Sequence, residues 1–156
     1  MSIKLTTPKD EIARKLNQLV DRQKRAIVLL LSYVGIRCTN IARTNGNYID
    51  RTGNLRSSVG YVVAMDGNIQ MMSDFVAISG QDGNGQDGTS VGKEYAKALI
   101  SKYPKGIVLV IVAGMHYAKY VAATGRDVLD SAELTAKRLI PRMLNDLKIE
   151  INNADF

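Results

Sequence analysis

The sequence has little of what enzymes and metalloproteins use for chemistry. Among its 156 residues there is one cysteine, Cys38, one histidine, His116, and no tryptophan. A lone cysteine excludes an internal disulfide framework and a cysteine-based zinc site, and is typical of a reducing compartment. No Ser-x-Gly elbow and no neighbouring acid accompany His116, so we expect it to cap or pack rather than to catalyse. We therefore predict no catalytic residue, no metal site and no cofactor.

Long hydrophobic runs are also missing. The longest mostly apolar stretch, residues 26–36, has 11 residues and already contains Ser32 and Gly35, whereas a membrane span needs about 20. The N-terminus turns polar after five residues, unlike a signal peptide. With 46% hydrophobic and 23% charged residues, the chain is expected to form a single domain over residues 1–156. We expect a soluble intracellular protein with no membrane partner.

Positive charge is concentrated at one end of the chain. The net charge is +6, but residues 1–56 hold eleven Lys and Arg against four Asp and Glu, whereas the remaining hundred hold ten against eleven. On a helical wheel four of these cations lie opposite the apolar stripe of the first helix and form a basic ridge. They are Arg14, Arg22, Arg25 and Arg43. Such a ridge can face nucleic acid or an acidic protein surface, or simply solvent. Nine aromatic residues without tryptophan give no visible base-stacking platform.

The N-terminal quarter predicts one long helix over residues 8–42. Thr7 and Pro8 form a start signal, and apolar residues then recur at helical spacing. Some 34 residues span about 50 Å, more than the diameter of roughly 40 Å expected for a domain of this length. The helix must therefore bend, for which Gly35 is the expected place, or overhang its domain. Leu29 points away from the apolar stripe, so we expect a partner to cover it.

Residues 58–114 predict a sheet with an insertion. Residues 58–65 predict a strand, and residues 69–78 predict a second strand that returns after the hairpin turn signal Asp66-Gly67-Asn68. The unbroken apolar run over residues 107–113 predicts a central strand buried on both faces. The inserted part is a glycine-rich loop, residues 80–92, followed by a short helix over residues 91–103.

The C-terminal helices are expected over residues 116–147. A short helix over residues 116–124 ends at Gly125, and a longer one begins at Asp130 with Glu133 as its capping box. Pro141 should kink the longer helix, and a weak strand over residues 148–151 is a further expectation. The predicted fold class is α+β, with the long N-terminal helix and the C-terminal helix packed on a mainly antiparallel sheet of three to four strands.

The glycine-rich loop contains the pattern of a dinucleotide-binding fingerprint, Gly83-x-Gly85-x-x-Gly88. That fingerprint needs an acid at the end of the following strand to hold a ribose hydroxyl, but here the strand ends in Ala113-Gly114-Met115. Asp82 and Asp87 would also face a pyrophosphate of their own sign. We expect a flexible surface loop, with a nucleotide-binding enzyme as one alternative function and a nonspecific nucleic-acid-binding protein as another.

Two segments resemble the signatures of a known family. Residues 50–58, DRTGNLRSS, resemble the Asp-Thr-Gly-x-Leu-Arg-x-Ser signature of the tail-completion proteins that join head to tail in lambda-like siphophages. Residues 114–121, GMHYAKYV, resemble that family's second signature, Tyr-Ala-x-Tyr-Val-Glu-x-Gly-Thr. The order, the spacing and the intervening hairpin agree with the family. Arg51 is inserted in the first signature, and Ala122 stands where the second has Glu.

The resemblance implies a structural virion protein of a phage or prophage and no enzyme. Family members act as rings in the neck, joining the tail to the portal and connector without a cofactor. The implied partners are further copies of the chain, the connector, tail-tube or tail-terminator proteins, and DNA touched nonspecifically in the channel. The implied location is the head–tail junction, with assembly in the bacterial cytoplasm. The structural residues carried over are Asp50, Thr52, Gly53, Leu55, Arg56, Tyr117, Tyr120 and Gly125.

Elementary chemistry gives these residues local roles. Gly53 supplies a turn conformation closed to other residues, so Leu55 should enter the core while Arg56 stays out to pair with an acid. Tyr117 and Tyr120 should share a helix face that packs onto the sheet.

Overall fold

The longest element is α1 (Lys9–Asn45), seen in a computed structural model that describes residues 8–154. Its apolar spacing predicted this helix, which ends at Asn45 instead of residue 42. The predicted cap at Thr7 lies outside the described residues. Burial begins only at Val28 and continues to Ala42 at the spacing of one helix face. This buried half of α1 packs on the sheet.

The first half of α1 packs on the end of the C-terminal helix instead. No residue from 9 to 27 is buried, and Leu19 and Ala26 face Leu147 and Ile151 of α5 (Asp130–Asn153) across a groove. Nearer the sheet, Cys38 of α1 contacts Ala132 of α5, so the two helices run antiparallel. We call residues 9–26 and 144–153 the helical extension. Because α1 is about 55 Å long, it overhangs the sheet, one of the two outcomes that its length predicted.

Three antiparallel strands form the sheet in the order β2-β1-β3. They are β1 (Val59–Met65), β2 (Asn68–Met72) and β3 (Ile107–Ala113). Asp66 and Gly67 join β1 to β2 with φ values of 51° and 78°, the left-handed pair of a hairpin turn whose twist matches the strands. The hairpin prediction is confirmed. The central strand is β1, however, so the prediction that residues 107–113 are central is wrong.

The apolar run of β3 has a different cause. Leu109, Ile111 and Ala113 face α1 and α5, while Val108 and Val110 face α3 (Gln86–Ile100) on the other side. Helices cover both faces of the sheet, so an edge strand can be apolar on both sides as well. Periodicity cannot distinguish this case from a central strand.

The returning strand is shorter than predicted because Ser73 redirects the chain. The Ser73 N–H donates to the Tyr61 carbonyl at 3.0 Å, and the Ser73 hydroxyl accepts the Tyr61 N–H at 3.0 Å. β2 therefore ends at Met72, and the predicted continuation to residue 78 is wrong.

Two helices have boundaries that differ from the predicted ones. α3 begins at Gln86 and ends at Ile100, so the second half of the predicted loop over residues 80–92 is helical, and the predicted helix over residues 91–103 starts too late. α5 continues through Pro141 to Asn153. The strand predicted over residues 148–151 is therefore wrong, because Ile151 packs on α1.

The start of α5 is capped differently from the prediction. Glu133 pairs with Lys137 one turn on and does not close a capping box. Instead, the Asp127 carboxylate accepts the Ser131 N–H at 3.2 Å and the Ser131 hydroxyl. The negative charge still lies at the N-terminus of the helix, where the helix dipole favours it.

The fold is α+β, as predicted. The remaining elements are α2 (Asn54–Ser57), before β1, and α4 (Ala118–Ala123), after β3. An 18-residue segment of α1 with a mean hydropathy of 1.3 is long and apolar enough to cross a membrane. However, 44% of that segment is buried in the fold. We interpret α1 as a core helix because its apolar face packs on β1.

Candidate functional site

The first signature segment forms a tight turn that caps α2. The Asp50 carboxylate accepts the Arg56 N–H at 2.8 Å and the Leu55 N–H at 3.4 Å. Gly53, between Asp50 and Leu55 in the sequence, has a φ of 76°. A Cβ on Gly53 would overlap the Ile78 carbonyl oxygen. Leu55 is buried in the core. The predicted roles of Gly53 and Leu55 are those that the structure gives them.

Among residues 8–154 Arg56 pairs with no acid, so that expectation is wrong. Its guanidinium donates to the Gly46 carbonyl at 2.9 Å and to the Tyr48 carbonyl at 3.5 Å, and it lies 5.1 Å from the centre of the Tyr48 ring. The physical reason is local. Carbonyls just beyond the C-terminus of α1 have lost their helical partners, and a nearby cation satisfies them.

The second signature segment meets the first in one hydrophobic cluster. Tyr48, Leu55, Ala118 and Val128 are buried together, with Tyr117 and Val121 of the second segment packed against them. A cleft of about 380 Å³ separates the two segments at the surface. We call it the motif cleft. It is lined by Ile49, Asp50, Arg51, Thr52, Asn54, Leu55, Tyr117 and Val121.

Tyr120 and Gly125 lie outside this cluster. Tyr120 is 63% exposed, and the Lys119 ammonium lies 4.9 Å from its ring centre. The expectation that Tyr120 packs onto the sheet is therefore wrong, because only the Tyr117 and Val121 side of α4 faces the core. Gly125 has a φ of 78° just after α4, the left-handed conformation that commonly follows a helix end.

Burial is the main cause of the pKa shifts in the hydrophobic cluster that the two signature segments share. It raises the pKa of the Tyr48 phenol to about 12 and raises the pKa of Tyr117, since both ionised forms would lose hydration. The Tyr48 hydroxyl has no hydrogen-bond partner within residues 8–154. A neutral, buried and unpaired phenol favours packing over proton transfer.

The glycine-rich segment is hydrogen-bonded to the first signature segment. The Gly85 N–H donates to the Thr52 carbonyl at 3.0 Å, and the Gly88 N–H donates to the Asn54 side-chain oxygen at 3.1 Å. The Asp82 N–H also reaches the Arg51 carbonyl. Backbone donors that would have to cradle a phosphate in the fingerprint are thus used inside the chain. This geometry disfavours the nucleotide-binding alternative.

A surface ion pair strengthens the same contact. The Arg51 guanidinium and the Asp82 carboxylate are 3.0 Å apart and largely exposed. We did not predict this pair, because the two residues are 31 positions apart and only the fold brings them together. Arg51 therefore has a partner in the glycine-rich segment.

Only three of the four arginines of the predicted basic ridge are exposed. Arg14, Arg22 and Arg25 are exposed on α1. Arg43 is half-buried, donates to the Val59 carbonyl at 2.7 Å and to the Asp74 carbonyl at 3.3 Å, and has its pKa lowered by burial. Arg43 is not a ridge residue, because the last turns of α1 meet the start of β1. Leu29 is 63% exposed, as its position on the wheel predicted.

The single thiol is buried, and the single imidazole lies at the surface. Cys38 is fully buried, donates to the Ala132 carbonyl at 3.3 Å, and has a pKa raised by burial, which suits a packing residue. His116 is exposed and stacks edge-on against Tyr117. Within residues 8–154, no three His, Cys, Asp or Glu side chains come together as metal ligands.

Comparison of the chain with protein-family models, with curated proteins and with solved structures finds no significant match.

Proposed function

We propose that the protein is a structural component of a phage or prophage virion that completes the tail and joins it to the head, acting in the neck as a ring of identical subunits. One observation carries the proposal. The two segments that resemble the tail-completion signatures are more than fifty residues apart, and they pack together in one cluster around Leu55 and Tyr117. A chance resemblance of two short motifs would not require them to share a structural site.

The chemistry of the site supports a structural role over catalysis. Asp50 caps a turn, Arg56 closes the end of α1, and the fingerprint glycines hold the insertion against the turn. These polar groups are occupied in holding the chain together. What remains for partners is the surface.

The surface carries apolar side chains that a monomer would normally cover. Leu29, Tyr33 and Ile36 lie within two turns of α1 and are 63%, 47% and 49% exposed. Ile49 at the rim of the motif cleft is 81% exposed. Exposed apolar groups clustered in this way are typical of interaction surfaces, and a subunit of a larger assembly accounts for them.

The exposed Arg14, Arg22 and Arg25 favour a further contact with DNA. In a neck ring, the phosphates of DNA passing through the channel would meet such cations without sequence preference. Binding to random duplex DNA that falls steeply with salt and is lost in a triple Glu variant would support this contact, and salt-insensitive or absent binding would remove it.

Electron microscopy of the purified chain tests the proposal. The chain is examined in negative stain alone and after mixing with the connector and tail-tube proteins encoded by the neighbouring genes. We expect rings of uniform diameter, alone or on the partner assembly. A chain that stays monomeric at all concentrations and also ignores these neck proteins would contradict the proposal.

A further inference from the structure

We infer that the chain binds a single carboxylate group in a small pocket between the second half of α1 and the end of β2, with Thr39 and Arg43 as the donors that hold it. This binding site goes beyond the proposed function and does not depend on it. The carboxylate can belong to a free organic acid or to an acidic side chain of a partner.

The pocket, which we call the Arg43 pocket, has a volume of about 220 Å³. Cavities that enclose a whole small molecule usually measure about 300 to 1,000 Å³. The Arg43 pocket therefore has room for one functional group and a short carbon chain. It is lined by Ile36, Thr39, Asn40 and Arg43 of α1 and by Tyr61, Met72, Ser73 and Asp74 of the sheet side.

The Thr39 hydroxyl is a buried polar group without a bond. Thr39 is 3% exposed, and its Oγ1 has no hydrogen-bond partner within residues 8–154. Two other hydroxyls of α1, those of Ser32 and Thr44, each donate to the carbonyl one turn earlier, which is the usual bond of a hydroxyl within a helix. Because a buried hydroxyl without a bond costs free energy, a ligand that bonds to Thr39 is favoured.

Arg43 presents a second unused donor to the same pocket. It follows Thr39 by one turn of α1, so the two side chains are neighbours on the helix surface. Its Nη2 donates to the Val59 and Asp74 carbonyls, whereas its buried Nε has no partner within residues 8–154. Since the Nε–H can only donate, the ligand must present an acceptor.

The charge of Arg43 favours an anion as that acceptor. The guanidinium donates to neutral carbonyls, and none of the ion pairs among residues 8–154 includes Arg43. Burial lowers the pKa of Arg43, because the charged form loses hydration. A half-buried cation without an acid beside it is stabilised by an anionic ligand.

A carboxylate suits these donors better than a phosphate. Its two oxygens can accept one bond each, from the Thr39 hydroxyl and from the Arg43 Nε–H. Asp74 lines the same pocket, and its carboxylate would repel a second negative charge on the ligand. A singly charged group is therefore favoured over a doubly charged one.

Proton–nitrogen NMR of the isotope-labelled full chain tests the inference. The probe is sodium acetate, and sodium chloride at the same ionic strength is the control. We expect acetate to shift the Arg43 Nε–H signal and the amide signals of Thr39 and Ser73 until the site is saturated. The absence of a saturable shift, or an equal shift with chloride, would overturn the inference.

A threonine-to-valine pair identifies the donor. Thr39→Val removes the hydroxyl at nearly constant shape and should weaken acetate binding by about tenfold or more. Thr135→Val makes the same change at another buried helical threonine, whose hydroxyl donates to the Ser131 carbonyl at 2.8 Å, and it should leave binding unchanged. Acetate binding of native strength in Thr39→Val would overturn the assignment.

The stability of the same pair, measured by urea unfolding without acetate, shows whether the Thr39 hydroxyl is open to a ligand. Thr39→Val should be at least as stable as the native chain, because the hydroxyl it removes has no partner among the described residues. Thr135→Val should be less stable, because it loses a bond. An equal loss in both variants would show that ordered water already satisfies Thr39, and would overturn the inference.

Asp74→Asn tests the position of the ligand. It removes the negative charge of the pocket and keeps the backbone carbonyl that Arg43 bonds, so acetate should bind about twofold or more tightly. Unchanged or weaker binding would contradict a carboxylate beside Asp74.

Two blocked peptides identify the source of the carboxylate. One has the sequence Gly-Glu-Gly and the other Gly-Gln-Gly, with both ends neutral. Binding of acetate and of the Glu peptide alone would support an acidic side chain of a partner, and binding of acetate without either peptide would support a free organic acid. Equal binding of the Glu and Gln peptides would overturn the requirement for a negative charge.

Discussion

At the scale of single residues, two glycines with the same backbone conformation have different surroundings. Gly53 and Gly125 have φ values of 76° and 78°. A Cβ on Gly53 would overlap the Ile78 carbonyl and approach the Gly80 nitrogen to 2.8 Å, whereas a Cβ on Gly125 would meet nothing within 4 Å. Alanine substitutions at these two positions can therefore separate the free-energy cost of the left-handed backbone from the cost of a steric overlap.

We expect Gly125→Ala to lower the free energy of unfolding by about 1 kcal/mol, the cost of a left-handed conformation for alanine. Gly53→Ala should lower it by about 3 kcal/mol or more, because the segment around Ile78 must also move. Urea unfolding followed by circular dichroism measures both values. Equal losses in the two variants would show that Gly53 is not packed as described.

Tyr48 gives a second prediction, in alkaline solution. Its pKa is raised from 10 to about 12 in the folded protein, so between those pH values the unfolded chain loses the proton first and stability falls as the pH rises. Tyr48→Phe should remove this part of the alkaline loss. At neutral pH the substitution should be neutral or slightly stabilising, because the buried hydroxyl has no hydrogen-bond partner among the described residues.

Urea unfolding of native chain and variant across this pH range is the measurement. Tyr61 and Tyr117, whose pKa values are also raised, should leave a smaller alkaline loss in the variant. The same loss in both proteins would contradict the assignment to Tyr48.

At the scale of elements, α1 has two halves with different support. The half from Val28 to Ala42 packs on the sheet, while the half from residue 9 to residue 26 packs only on the end of α5 within the described residues. Two helices packed on each other bury one stripe each, and the helical extension should therefore open locally more often than the sheet.

Hydrogen exchange measured by mass spectrometry tests this difference. Amides of residues 9–26 and 144–153 should exchange faster than those of residues 28–42, and the gap should narrow if a partner covers the helical extension. Equal protection in the monomer would contradict the two-part description.

Several elements follow directly from local physics. The apolar spacing of α1, the Asp-Gly turn and the valine-rich run of β1 each carry a signal that depends only on neighbouring residues. Each of these elements is present where we predicted it, apart from small shifts of its ends. The errors lie where distant residues decide. Ser73 ends β2 by bonding Tyr61, and Ile151 stays helical because α1 lies beside it.

The candidate site shows the same division. The core position of Leu55 follows from the turn sequence, whereas the partner of Arg56 depends on where α1 ends. The N–H groups of Gly85 and Gly88 donate hydrogen bonds to residues 52 and 54, which lie more than thirty positions earlier in the sequence. A fingerprint pattern in a loop can therefore reflect packing within the chain.

At the scale of the whole molecule, the charge asymmetry of the sequence becomes a difference between surfaces. Most of the excess positive charge lies in the first 56 residues. Arg14, Arg22 and Arg25 are exposed on α1, while Arg43 and Arg56 are used inside the fold. The basic face is thus smaller than the sequence count suggests, and it runs beside exposed apolar side chains. A surface of this composition suits assembly with partners.

The most direct test of a neck role is deletion of the coding gene in the phage or prophage, followed by electron microscopy of the particles released on induction. We predict filled heads and complete tails that remain unjoined, with joining restored by the native chain supplied in trans. Joined, infectious particles without the gene would contradict the account.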